Sequence, residues 1–382
     1  LSGAIGPRRG RRFLAQRQAI RPTPRLARTM AQAASDRKRP ARIALTLTLA
    51  TAAALLAERL HVPLPWMIGP LLATAALGVI GAPVEASQRL RNAGQWAIGA
   101  TLGLTFTPEV AALLPGLAPA IVVGAAWALF AGWAFHRWLA RANPGEAPSS
   151  TFFAAAIGGA SEMAVLAERA GARVDRVAAA HSLRLMIVVV VLPFGLHFSG
   201  ARGVDLLPPS AHGVDPAGLA LLVMLTLAGV ALMRALRLPN PWVLGALAST
   251  LALTASGITL SALPGAVPAA GQLFIGVALG ARFTPGFARA APRWLASVAL
   301  GTVALIAVSA GFGALLAGVT GLHPATGVLA TAPGGIAEMC ITAKVLQLGV
   351  PVVTAFHVLR YLAVLLLTGP LYRAELHRLA SE

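Results

Sequence analysis

The stretch Ala332-Pro333-Gly334-Gly335-Ile336-Ala337-Glu338-Met339 lies inside apolar sequence. Nineteen residues after its glutamate comes His357, and then Arg360. An earlier stretch, Ile157-Gly158-Gly159-Ala160-Ser161-Glu162-Met163, is followed at the same interval by His181, with Arg184 three residues further on. Each copy sets a glutamate beside a double glycine and then a His-x-x-Arg in the next apolar segment. An ionisable group inside a membrane segment costs roughly 2.5–3.5 kcal/mol on insertion scales, which makes it a functional-site candidate by default. Two copies in the same order argue against chance.

The composition sets the environment. Of 382 residues, 57% are hydrophobic and 12% are charged, against about 25% charged in soluble domains. The mean hydropathy is +0.74. These values predict an all-α polytopic membrane protein, with the lipid bilayer as its first partner. The net charge of +18 is uneven, because twelve of the 31 Lys and Arg fall in residues 1–42 and no acid precedes Asp36. Residues 1–42 therefore read as a basic, disordered tail outside the fold, with Met30 a plausible later start. A transit peptide would share that composition. A nucleic-acid arm would need a folded DNA-reading module, and none follows, so no nucleic-acid partner is expected. The lone Cys340 and eight scattered histidines offer no metal-ligand spacing, and no cofactor or metal is expected.

After Arg42 the apolar segments run 43–60, 64–82, 92–107, 112–136, 151–170 and 177–198. A polar connection, 199–216, leads to 217–235, 241–260, 270–284, 294–317, 325–347 and 350–372. The sets match at a spacing near 176. Pro65-Trp66 with Gly69 answers Pro241-Trp242 with Gly245, and Ile98-Gly99 with Gly103 answers Ile275-Gly276 with Gly280. This is a tandem duplication: 43–198 forms one repeat, 217–375 the other, and 376–382 a cytoplasmic tail. Charge gives the orientation, since cytoplasmic loops collect Lys and Arg. In the first copy the loops after segments two and four are basic (Arg89, Arg91; Arg137, Arg141). In the second copy the third segment is flanked by Arg282, Arg289 and Arg293 instead. Equivalent loops then face opposite sides, which predicts inverted repeats. For that, the fifth segment of each copy must enter and leave on one face. The expectation is about ten transmembrane helices plus two re-entrant, broken hairpins, with both termini cytoplasmic.

Pro333 lacks a donor and glycine tolerates positive φ, so Gly334-Gly335 should break a helix and expose the positive end of the next one. Glu338 and Glu162 would then cap a helix, hold a proton or cation, or pair with an arginine. His181 with Arg184, and His357 with Arg360, share helix faces. An arginine there needs a partner, and the expected pairs are Glu162 with Arg184 and Glu338 with Arg360. The same arginines could instead clamp an anion, with the histidines carrying protons. The Pro-Trp-x-x-Gly tryptophans read as interfacial anchors. The glycine-rich third segments read as close helix crossings, or as broken helices with Gln95 and Gln272 as ligands.

These motifs resemble the membrane AbrB family, duplicated bacterial integral membrane proteins often labelled transcriptional regulators or ammonia monooxygenases. The resemblance covers about residues 43–375, with Ile157 replacing the Pro333 of the second copy. It implies kinship with cation/proton antiporters and anion transporters and a place in the bacterial cytoplasmic (inner) membrane. It does not supply a substrate. A monooxygenase would need clustered metal ligands, so no enzyme is expected. The soluble DNA-binding protein of the same name does not resemble this chain. The expectation is a secondary transporter exchanging a small solute with H+ or Na+, compatible with a homo-oligomer. Its site would comprise Gly158, Gly159, Ser161, Glu162, His181 and Arg184, with Pro333, Gly334, Gly335, Glu338, His357 and Arg360. The alternative is a non-transporting membrane sensor or scaffold that regulates gene expression indirectly.

Overall fold

A computed structural model describes residues 24–201, 203, 213–289 and 291–381. Among these, all regular structure is helical. The first copy comprises α1 (Pro24–Arg59), α2 (Pro65–Val79), α3 (Gln88–Gly103), α4 (Pro108–Ala142), α5 (Pro148–Ala155), α6 (Ala160–Arg169) and α7 (Val174–Phe198). The second comprises α8 (Pro216–Ala235), α9 (Pro241–Ala255), α10 (Ala266–Gly280), the short α11 (Pro285–Arg289), α12 (Pro292–Thr320), α13 (Pro324–Thr331), α14 (Ile336–Val345) and α15 (Val350–Ser381). Six of these, α1, α4, α7, α8, α12 and α15, are long and apolar enough to cross a membrane. The chain is thus a multi-pass, all-helical membrane protein. Helices α2, α9 and α10 have 15 residues each. They are about 22 Å long, shorter than the roughly 30 Å of bilayer hydrocarbon.

Both ends of the fold differ from expectation. Helix α1 begins at Pro24, so the basic segment from there to Arg42 is helical and continuous with the first span. Proline is tolerated at a helix start, and Met30-Ala-Gln-Ala-Ala is strongly helix-forming. The expected tail residues 1–23, and most of the connection (202 and 204–212), lie outside the described residues. At the other end α15 runs through the expected 376–382 tail as far as Ser381.

The duplication extends to single dihedral angles. His61 and Arg237 both have φ 54°, Leu64 and Asn240 have 53° and 49°, and Gly81 and Gly257 have 89° and 78°. The two copies pack reciprocally, the second helix of each on the third helix of the other: α2 on α10 and α3 on α9. Glycine makes this possible. A Cβ on Gly99 would lie 2.4 Å from Val243 O, and one on Gly276 would lie 2.5 Å from Met67 O. The third segments are therefore close crossings of unbroken helices; the broken-helix alternative does not hold. Gly69 and Gly245 do the same for α1 on α2 and α8 on α9.

The first three helices of each copy form one body. The later helices form a second, in which α15 packs on α4 and α12 on α7. In this second body each fifth segment is a helix, a break and a returning helix. The N–H of Arg173, after α6, donates to Ser150 Oγ near the start of α5 at 2.9 Å. Further along, His181 and Arg184 meet the end of α5. So α5 runs beside α7 and α6 returns to the starting level. The second copy repeats this, with Gly349 after α14 lying beside Thr326 near the start of α13.

Candidate functional site

A helix that stops inside an apolar body leaves carbonyls without partners. Here the His-x-x-Arg of the neighbouring helix fills them. His181 Nε2 donates to Phe153 O at 2.9 Å. Arg184 donates to the carbonyls of Ala154, Ala155 and Ala156 at 3.3, 3.3 and 3.0 Å. With Nε2 protonated, His181 Nδ1 accepts from Arg184 Nη2 at 3.0 Å. In the second copy His357 Nε2 donates to Leu329 O at 2.9 Å, and Arg360 donates to Ala332 O and Gly334 O. Both histidines are fully buried, and the arginines are 2% and 5% exposed. A cation at a helix C-terminus also opposes the negative end of its dipole.

The glutamates serve the opposite helix ends. Gly159 and Gly335 are the N-caps of α6 and α14, which places Glu162 and Glu338 in the third helical position. Each carboxylate folds back over its N-cap glycine. A Cβ on Gly159 would fall 2.0 Å from Glu162 Oε2, and one on Gly335 would fall 2.1 Å from Glu338 Oε2. This resembles the reach of a capping box. The preceding glycines make room for the methionines: a Cβ on Gly158 would meet Met163 at 3.0 Å, and one on Gly334 would meet Met339 at 2.7 Å. Gly-Gly-x-x-Glu-Met is therefore one local unit, its last two side chains lying over its first two residues.

Two expectations fail on this geometry. No ion pair among the described residues joins Glu162 to Arg184 or Glu338 to Arg360, because each charge is matched to a helix end instead. The tip glycines do not use positive φ, since Gly159 is at −66° and Gly335 at −83°; they are needed for the absent Cβ.

Both tips open on one polar cavity of about 420 Å³ between the two bodies. It brings together Gly158, Gly159, Ser161, Glu162 and Arg184 with Pro333, Gly334, Gly335, Glu338 and Arg360. Gln95 joins them and donates to Asn240 Oδ1 at 3.3 Å. His181, His357 and Gln272 do not line it. Gln95 faces Asn240, whereas the residue matching Asn240 in the other copy is the apolar Leu64. The sequence had offered Trp242 as a membrane-edge anchor, but it lines this cavity. Arg91, Arg282 and Tyr361 line it too and were not read as site residues. The two arginines had been used only as topological charges.

These features define a duplicated, all-helical, multi-pass membrane protein in which two helix–break–helix tips line one cavity. The chain belongs to the AbrB family: the family model described as "Transition state regulatory protein AbrB" matches residues 66–375. It is 26% identical over 346 residues to "Uncharacterized protein YhjN" of Bacillus subtilis (strain 168), covering 83% of this chain and 88% of the relative. It is 25% identical over 317 residues to "Putative regulator AbrB" of Escherichia coli (strain K12), covering 81% and 89%. No solved structure matches the chain.

Proposed function

We propose that this protein is an ion-coupled secondary transporter of a small solute in the bacterial inner membrane, with its two repeats inverted and both termini cytoplasmic. The observation that carries this reading is a polar cavity reached by both Gly-Gly-x-x-Glu tips and lying between two helical bodies. Irregular backbone at membrane depth is tolerated where it borders such a cavity, and broken helices facing one another are a recurrent transporter device. In this scheme Glu162 and Glu338 bind the proton or sodium ion. His181, Arg184, His357 and Arg360 are positioning residues that hold the tips. The rival reading, a non-transporting sensor, draws on the regulatory wording attached to the family and to the Escherichia coli relative. It predicts a centre filled by side chains, and the cavity speaks for transport.

The discriminating variant is Glu338→Gln. Glutamine can still occupy the third position of a helix cap, so the fold is kept while the titratable charge is lost. Proteoliposomes containing a pH dye are challenged with succinate, lactate, citrate, putrescine and glucose, under proton and sodium gradients. Solute-dependent uptake in the parent, falling at least tenfold in Glu338→Gln, is the expected result. No uptake of any solute by the parent, or equal flux in the variant, overturns the proposal. For the orientation, single cysteines at 140 and 316 should label from opposite sides of the bilayer; labelling from one side means parallel repeats.

A further inference from the structure

We infer that the cavity binds a small organic oxyanion, held by Arg91 and Arg282 on the wall facing the hairpin tips. This deepens the transporter reading and rests on it for its biological meaning, although the binding itself does not.

The first ground is the charge around the cavity. Four arginines line it, Arg91, Arg184, Arg282 and Arg360, against two glutamates, Glu162 and Glu338. The second ground is how those charges are used. Arg184 and Arg360 have their terminal nitrogens on helix carbonyls. Each glutamate lies over its own helix N-terminus. Among the described residues the Arg91 guanidinium makes no hydrogen bond or ion pair, and that of Arg282 donates only to Ser182 Oγ, at 3.4 Å. The two stand close enough to act electrostatically on one another and on Glu338. Like charges gathered in a half-buried cavity are costly unless an anion or water compensates them. Guanidinium groups present a planar fork of donors that matches a carboxylate or phosphate.

The remaining lining gives the rest of the ligand its character. Trp242, Ile275 and Leu279 offer apolar surface, and Gln95 and Asn240 offer amides. A volume of about 420 Å³ is at the lower end of small-molecule sites. The fit is to an oxyanion on a short carbon skeleton rather than to a bare inorganic ion. Arg91 lies in α3 and Arg282 just after α10, both in the first body, whereas the tips belong to the second. A bound anion therefore bridges the two bodies.

The test is binding to the purified, full-length protein in detergent, read as a shift in thermal unfolding midpoint. The probes are succinate, lactate, citrate and inorganic phosphate, with putrescine and glucose as controls. At least one carboxylate should raise the midpoint in a saturable way. That shift should be lost, or need at least tenfold more ligand, in Arg91→Gln and in Arg282→Gln, and be partly restored in Arg91→Lys. A preference for putrescine or glucose, no response to any anion, or anion shifts unchanged in both arginine variants overturns the inference. Arginine-dependent binding without flux in proteoliposomes leaves the site standing and removes the transporter. Flux of a cation or sugar that ignores both arginines does the reverse.

Discussion

The two hairpins share a motif and a wiring pattern but not an environment. In the second, Ala332, Pro333 and Gly334 are buried, and Ile336 and Ala337 after them are 5% and 7% exposed. In the first, Gly158, Gly159 and Ala160 are half-buried and Ser161 is exposed. The second tip is packed against α3 and α7. Gly-Gly-x-x-Glu thus specifies the local shape, and the surroundings decide how much of it meets the cavity.

The largest test of that contrast removes the arginines. An unsatisfied buried carbonyl costs about 1–3 kcal/mol. Arg360→Ala strands Ala332 O and Gly334 O, both in buried residues, and a loss of about 2–6 kcal/mol follows from that range. Arg184→Ala strands three carbonyls, two of them in the fully buried Ala154 and Ala155, so its loss should be at least as large. Unfolding midpoints in detergent compare them. A clearly smaller fall for Arg184→Ala would mean that water reaches the carbonyls at the more exposed first tip.

The next test asks whether the halves are equivalent where they meet. Gly99→Ala and Gly276→Ala each push a methyl group into backbone of the other copy, at 2.4 and 2.5 Å. Overpacking of this kind costs about 1–3 kcal/mol. The two variants should lose stability by similar amounts. A large effect in only one of them would break the reciprocal packing described for α2 on α10 and α3 on α9.

Much of this architecture was legible in the sequence because apolar periodicity and duplication are long-range signals. Every expected segment contains a helix, and both fifth segments break at their double glycines. What the sequence could not give was the destination of each charge. Spacing placed Glu162 and Arg184 in adjoining segments, and opposite signs suggested a pair. The broken helices offered each a nearer partner, a bare N-terminus for the acid and a bare C-terminus for the base. The cavity role of Arg91 and Arg282 was hidden for a related reason. Positive residues at helix ends report topology on average, and only the fold places these two in a cavity. Gln95 and Gln272 are equivalent in sequence, yet among the described residues only Gln95 has a side-chain hydrogen bond, to Asn240, whose counterpart in the first copy is the apolar Leu64. The basic segment before Arg42 lacked apolar periodicity, which is the signal for burial and says little about a helix that carries on past the core.

The smallest test concerns the residue that closes each returning helix. After α6 stands Gly171 at φ 66°, and after α14 the matching residue is Gln347 at φ 55°. The left-handed region costs a residue with a Cβ about 1–2 kcal/mol, and glycine enters it freely. Gln347 is exposed, so its side chain contributes little packing, and a Cβ on Gly171 would meet nothing within 4 Å. Contacts are therefore nearly neutral in both directions, leaving backbone conformation as the difference. Gln347→Gly should stabilise the second copy by about 1 kcal/mol and Gly171→Gln should destabilise the first by a similar amount, with the greater chain entropy of glycine trimming the gain. Opposite shifts of the unfolding midpoint would show that the two hairpins end in the same strained turn. Shifts of the same sign would mean that the turn in one copy is held by something other than its own backbone preference.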